Sequence, residues 1–412
     1  MKVLLISRYF PPLDAIATHR MYAWAKYLDR LGCEVTVLTT SKQGQCVSEW
    51  NWDRSRFEVL ELDYWDPILA CGFQKGDAIE EAAKPKGWKG RIKAGLKRFY
   101  RERMNERMPS RTDPWLFPAR RKLRCLRKEG RCFDCVISSY GPPACHLLGR
   151  YAQKIFGARW IADYRDLWLE NHVFAGLWPF TLLERALEFL HVRHADGIST
   201  VSDALATVLQ SKFPLVPVTV IENGFEPELI QSAHSHYFDD APPRFRIVYT
   251  GSIYRGKRDP SPLFRVLEDL RDEGIIRDDE VEVLFYGSQS ADLPELIEKA
   301  KLGDMVRMCG YVGQQDAYAI QKSADLLLFL EAPRPDIDGI LTGKLFEYLY
   351  VDTPILAIGV DHHTAAGQLI LEARAGAVCG TSEPQIRQAC LHFLKGDSAI
   401  EKRRSVVERF YR

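Results

Sequence analysis

The sequence predicts an α/β protein built from two doubly wound parallel-sheet domains in tandem, and three observations carry that reading. Short apolar runs alternate with amphipathic stretches along most of the 412 residues, the pattern of βαβ units. The alternation pauses at a polar, proline-bearing stretch, "HSHYFDDAPPRF" (234–245), and then restarts. The length exceeds one ordinary core and suits two domains of roughly 150–250 residues each. The expected organisation is a first domain over 1–235 with an insert at about 84–108, a second over 245–394, and a helical segment over 395–412.

Taken in order, "KVLLIS" is a buried strand. Only five residues separate Lys2 from Arg8, Ser7 among them, too few for the core of a signal peptide. "THRMYAWAKYLDRLG" follows as an amphipathic helix ending at Gly32, and "CEVTVLTT" as the next strand. The pattern resumes with "FDCVISS" (133–139), a helix at 144–156, "ARWIADYRD", a helix at 181–194, "ADGISTVS", a helix at 203–212 and "PVTVIENG". The second domain reads "RIVYTGS", a helix at 262–273, "VEVLFYGS", a helix at 293–301, "VRMCGYV", a helix at 315–322, "ADLLLFLE", a helix from about 343, and "PILAIG". Two such domains bind ligands at the carboxyl ends of their strands.

Composition excludes several classes of function. A net charge of +1 gives no overall field for nucleic acid. No stretch approaches the roughly 18 apolar residues of a membrane span. Ten scattered cysteines, without a secretory signal, are expected to be free buried thiols. The expectation is a cytoplasmic protein, soluble or peripherally membrane-bound. One segment stands apart: 84–107 holds ten Lys/Arg against two Glu. Ile92, Leu96, Tyr100, Met104 and Met108 recur every four residues, an apolar stripe on a cationic helix. A stripe packed on the first domain and a helix lying on anionic lipid fit it equally.

The chemistry begins at "DGILTGKLFEYLYVDTPILAIG" (338–359). An ATPase loop needs four residues between its glycines and a hydroxyl after the lysine. Here three residues separate Gly339 from Gly343, and Leu345 follows Lys344. What remains is a helix start whose unpaired N–H groups favour an anion. Thr342 and Gly343 let a phosphate approach, and Lys344 adds a full charge. Glu347 sits among Leu345, Phe346, Tyr348 and Leu349, so its carboxylate needs partners. Beside an anion site the natural partner is a vicinal diol, and phosphate plus ribose means a nucleotide.

"YTGSIYRGKRDP" (249–260) leaves a strand, turns at Gly251 and delivers Arg255, Lys257 and Arg258, a second set of cations suited to a diphosphate. "RYFPPLDAIATHR" contains no glycine and so lacks the dinucleotide fingerprint. "ADYRDLW" places Asp163, Arg165 and Asp166 at the end of an inner strand, facing a cleft or paired in the core. Asn223-Gly224 reads as a turn. Cys132-x-x-Cys135 has no second pair, and His362-His363 no carboxylate at ligand spacing, so neither reads as a metal site.

The ordered set "RYFPP", "RLGCEVTVLTT", "DYRDLW", "ENGFEP", "YTGSIYRGKRDP" and "TGKLFEYLYVDTPILAIG" resembles bacterial glycosyltransferases of family 4, over nearly the whole chain. The resemblance implies the GT-B architecture of two facing Rossmann-like domains with a cleft between them. It implies a nucleotide-sugar donor in the C-terminal domain, an acceptor in the N-terminal domain, transfer with retention, and no metal or other cofactor. By that resemblance the donor site comprises Gly251, Ser252, Arg255, Lys257, Arg258, Asp338, Thr342, Gly343, Lys344, Leu345 and Glu347. Lys257, Glu347, Arg165 and Asp166 are the catalytic candidates, with Glu347 on the ribose. Pro12, Ala15, Thr18, His19 and Asp163 are the acceptor candidates. The implied partners are a nucleotide sugar and a glycan or lipid-linked acceptor, with an anionic membrane surface at 84–108.

Departures from the family pattern mark the specific features. The first acid of the Glu-x7-Glu motif falls on Gly339, with Asp338 adjacent. Ser252 stands where an arginine is usual, Ala15 and Ala17 where a glycine pair is usual, and Arg165 where a histidine is usual. The chain stops at "VVERFYR" where family members continue in a helix returning to the first domain, which implies a shortened chain. Two other readings share the residues: a sugar-nucleotide epimerase of the same fold, and a non-catalytic, nucleotide-binding scaffold subunit.

Overall fold

The computed structural model describes residues 1–13, 16–41, 54–67, 107–170, 176–225, 227–251, 253, 258–287, 293–331, 343–396 and 406. The expected basic helix thus lies outside the described residues except at Arg107 and Met108, as does 395–412 except at Lys395, Gly396 and Val406. The chain divides into two compact units, Met1–Glu222 and Asn223–Arg412. The division falls ahead of the polar stretch at 234–245, because the preceding residues already dock on the second unit. The Phe225 and Tyr350 rings lie 4.7 Å apart, and Lys322 Nζ donates to the Ala233 carbonyl at 2.6 Å.

The first unit runs β1 (Lys2–Ile6), α1 (Ile16–Arg30), β2 (Glu34–Thr40), β3 (Glu58–Leu62), α2 (Leu116–Lys128), β4 (Cys135–Ser139), α3 (Ala144–Phe156), β5 (Arg159–Tyr164), α4 (Phe180–Val192), β6 (Gly197–Thr200), α5 (Asp203–Lys212) and β7 (Val218–Val220). Its strands pair in parallel in the order β3-β2-β1-β4-β5-β6-β7. β1 shows why the runs are continuously apolar: Leu4 and Ile6 enter the core on one face, Val3 and Leu5 that on the other. α1 stops where Gly32 takes φ +78°, a left-handed closing conformation that glycine adopts without steric cost.

The second unit runs α6 (Pro227–Ser232), β8 (Phe245–Thr250), α7 (Ser261–Asp272), β9 (Val281–Tyr286), α8 (Leu293–Lys299), β10 (Val306–Gly310), α9 (Gln314–Ser323), β11 (Leu326–Leu330), α10 (Gly343–Tyr350), β12 (Ile355–Ile358), α11 (Ala365–Glu372), β13 (Gly376–Val378) and α12 (Glu383–Leu394). Its sheet, also parallel, has the order β10-β9-β8-β11-β12-β13. In each unit the strand order reverses beside the first strand, between β1 and β4 and between β8 and β11. Those switch points open a crevice at the strands' carboxyl ends. Among the described residues no helix is long and apolar enough to cross a membrane.

Candidate active site

In the second unit the sequence candidates converge on the switch point. β8 ends at Thr250 and the chain turns at Gly251, φ +130°. A side chain there would place its Cβ 2.5 Å from Lys344 Nζ. The backbone conformation favours glycine, and the Lys344 amine occupies the space that a Cβ would take. Lys344, the second residue of α10, holds that amine 3.7 Å from the Tyr249 ring centroid, where the ring face attracts a cation. Arg258 donates to the Tyr249 hydroxyl at 3.4 Å and pairs with Glu331, just past β11, at 3.8 Å. Burial and the Arg258 charge push the Lys344 amine well below its ordinary proton affinity, while Glu347 and Glu331 pull it back. A guanidinium and a buried amine brought this close, with a helix N-terminus beside them, can hold an anion, whose charge would favour the protonated amine.

Glu347 lies one turn further along α10. Burial raises its carboxyl to about 6, against the opposing pull of Gln321, Lys344 and Tyr318. Its oxygens are held loosely: Tyr318 Oη and Gln321 Nε2 each stand 3.5 Å away, the outer limit of a hydrogen bond. Gln321 gives its shorter bond to Thr250 Oγ1 at 2.9 Å, and the Thr250 and Tyr348 hydroxyls share a hydrogen bond at 3.1 Å. This carboxylate is positioned by neighbours that do not saturate it, so better-placed donors can take its lone pairs.

Sequence reasoning missed Tyr318, Gln321, Glu331 and Tyr249. The signal was present for Gln321, a polar residue at a core position of α9, 1% exposed, one turn from Tyr318. Leu345 is fully buried in the core, which leaves only its backbone N–H to meet a ligand. Ser252, Arg255, Lys257, Asp338 and Thr342 lie outside the described residues.

In the first unit Asp163 does not face outward. It is wholly buried, and Arg20 grips it through Nη2 at 2.7 Å and Nε at 3.2 Å. Ser139 and Ser199 hydroxyls complete the shell at 3.0 and 2.8 Å. Although burial alone would raise it, the Arg20 charge and these hydrogen bonds hold its carboxyl below the usual range. With both oxygens occupied, Asp163 orients Arg20, which also donates to the Ile221 carbonyl at 2.8 Å.

Arg165, by contrast, lies at the switch point. It donates to the Tyr140 carbonyl at 3.3 Å, and its guanidinium sits 4.7 Å from the Tyr9 ring centroid. Asp166 is half-buried, 3.8 Å from Arg165. Pro12 and His19 are half-buried. Thr18 is fully buried in α1, its hydroxyl without a hydrogen-bond partner among the described residues. Ala15 lies outside them.

Among the described residues no group of three His, Cys, Asp or Glu side chains converges as metal ligands. The described cysteines, Cys132 and Cys135 included, are free thiols; Cys125, Cys132 and Cys309 are exposed rather than buried. His362 bonds the Val378 carbonyl at 3.0 Å.

Two parallel doubly wound units, each with polar residues at its switch point, define a two-domain α/β protein of Rossmann-like type. Comparison with known proteins specifies the class. The model of Glycosyltransferase Family 4 matches residues 17–229. The chain belongs to this family, and so to the nucleotide-sugar-dependent glycosyltransferases of GT-B fold. Among solved structures it is similar to sucrose-phosphate synthase from Thermosynechococcus elongatus, with 12% identity, TM-score 0.64, and 100% of this chain and 94% of that one covered. Anabaena HepE in complex with UDP matches at 12% identity and TM-score 0.62, with 100% and 96% covered. A glycosyltransferase from Rickettsia africae matches at 13% and 0.55, with 99% and 96% covered. No curated protein sequence matches the chain.

Proposed function

We propose that the protein is a retaining glycosyltransferase, independent of metal, that moves a sugar from a nucleoside-diphosphate sugar to a hydroxyl of a glycan or lipid-linked acceptor. Its setting in this reading is bacterial surface polysaccharide or glycolipid assembly at the cytoplasmic face of the membrane, with 84–108 on anionic lipid. The observation that carries the donor half is the Lys344 amine seated against Gly251, with Arg258 alongside and Glu347 one turn further on.

Charge develops on the diphosphate as its bond to the sugar breaks. Arg258 and the N-terminus of α10 supply fixed positive potential at that point, and the incoming diphosphate restores the proton affinity that burial takes from Lys344; together they take the role a metal ion fills elsewhere. Lys257 and Arg255 extend the clamp in this reading, with Ser252 and Thr342 beside the phosphates, and Asp338 stands in for the absent sugar-facing glutamate. Glu347 accepts both hydroxyls of the ribose diol. In the first unit Arg165 and Asp166 face the acceptor, bordered by Pro12, Ala15, Thr18 and His19, with Asp163 acting through Arg20. The acceptor hydroxyl forms the new bond at the anomeric carbon, the diphosphate leaves with the bonding pair, and a departing phosphate oxygen takes up the hydroxyl proton.

A panel of nucleotide sugars tests this reading. UDP-glucose comes first, because HepE was also crystallised with it. Slow hydrolysis of one donor without acceptor is expected, with the product's anomeric configuration retained by NMR. Inversion would overturn the retaining assignment, and nucleotide binding without any turnover would favour the non-catalytic subunit.

A further inference from the structure

Helix α4 is built inside out. Its glutamates Glu184 and Glu188 are fully buried, while Leu182, Leu183, Phe189 and Leu190 are 47–60% exposed. These four occupy equivalent positions two turns apart and so share one stripe. Trp178, just before the helix, is 77% exposed.

The orientation is locked from within. Glu184 receives Arg107 Nε at 2.9 Å, the Met108 N–H at 3.0 Å and Trp168 Nε1 at 3.1 Å. Glu188 receives the Tyr164 hydroxyl at 3.1 Å and pairs with Lys212. Rolling the helix to bury its leucines would strand two carboxylates, each far costlier to leave unpaired than an apolar side chain is to expose. The stripe therefore faces outward by construction. Beside it a groove of about 680 Å³ runs between α4 and α5, lined by Leu169, Leu182, Phe189 and Val208.

Cations rim this surface. Arg185 is exposed and forms no ion pair among the described residues, and the Arg193 guanidinium lies 5.4 Å from the Phe189 ring centroid. The next two helices of the layer continue the charge: α3 packs between α4 and α2. α2 carries six Lys/Arg and no acid, and Phe117 projects from it 77% exposed. The acid in the groove, Glu170, is paired with Lys212 at 3.1 Å.

The geometry points to this face, α4 with the cationic α2 on the far side of α3, as a docking surface for an anionic lipid bilayer. Large apolar side chains ringed by Arg and Lys match the boundary between acyl chains and anionic headgroups. A second copy meeting the same face would bring the Arg185 and Arg193 rims together, like charge against like. The inference deepens the membrane-linked part of the proposed function by assigning lipid contact to described residues other than 84–108; it does not depend on the donor chemistry.

Flotation of the full chain with phosphatidylcholine vesicles, with and without phosphatidylglycerol, tests it. Binding is expected only with phosphatidylglycerol and should weaken with salt. Leu183→Glu/Phe189→Glu should lower partitioning at least about tenfold, with nucleotide affinity unchanged. Arg185→Glu/Arg193→Glu, which leaves the apolar stripe in place, should lower it in the same direction and guards against misfolding of the first variant. Wild-type partitioning in both variants overturns the inference. If Ile92→Glu/Leu96→Glu alone abolishes binding, the 84–108 reading stands and this one falls. Absence of binding by the parent removes both, and a parent dimer made monomeric by Leu183→Glu/Phe189→Glu assigns the face to self-association instead.

Discussion

At Glu347 the folded protein holds a carboxyl that titrates near pH 6, where the phosphodiester oxygens of a nucleotide sugar stay ionised. A ribose diol donates to the carboxylate form, so binding favours ionisation, and affinity for a nucleotide sugar should fall as pH drops through about 6. Glu347→Gln should flatten that profile in calorimetry and weaken binding about tenfold or more, as loss of a charged hydrogen-bond acceptor does. Stability moves the other way. A raised carboxyl pKa contributes stability below the unfolded value, lost as pH rises through the folded one, and this shift corresponds to at most about 2 kcal/mol. Ligand-free Glu347→Gln should therefore unfold at equal or higher denaturant at pH 7, stabilised by up to that amount. Gly251→Ala would drive a methyl against the Lys344 amine at φ +130°, so it should displace the lysine, weaken nucleotide binding and cost roughly 1–3 kcal/mol of stability.

At the scale of elements, a buried ion pair braces the first sheet. Arg20 on α1 reaches Asp163 on β5 and the carbonyls of Ile221 and Glu222 beyond β7. It ties a helix to two parts of the sheet. Asp163→Ala would leave Arg20 buried and unpaired, an expected loss of about 3–5 kcal/mol by denaturant unfolding. Because Asp163 is held below the usual carboxylate range, the pair's contribution is intact above pH ~4 and lost as pH falls further. The elements most legible in sequence were those with apolar runs on both faces, such as β1, β5 and β11. β3, "EVLEL", is a half-exposed edge strand whose glutamates break the run. α2 hides its buried Ala119, Leu123 and Leu126 among six cations. The outward stripe of α4 is invisible to periodicity, because Glu184 and Glu188 take core-facing positions beside Val192.

At the scale of the molecule, the doubled α/β pattern carried the fold, because each parallel sheet buries both faces and so writes itself as repeated apolar strands. The site was partly legible. Gly251, Lys344 and Glu347 fall together as the motif spacing implied, while Asp163 turned inward, since sequence alone does not show that Ser139, Ser199 and Arg20 would fill its shell. Glu331 and Gln321 belong to the site through topology: β11 lies beside β8 only in the folded sheet. The central claim is that the second unit holds a nucleoside diphosphate, with Glu347 on its ribose. The most direct measurement is titration calorimetry of the parent and Glu347→Ala with UDP, GDP, dTDP and ADP. Tight binding of at least one by the parent is expected, with at least about tenfold weaker binding by the variant; equal affinity in the two proteins would remove Glu347 from the ribose, and no binding of any nucleotide would remove the donor site.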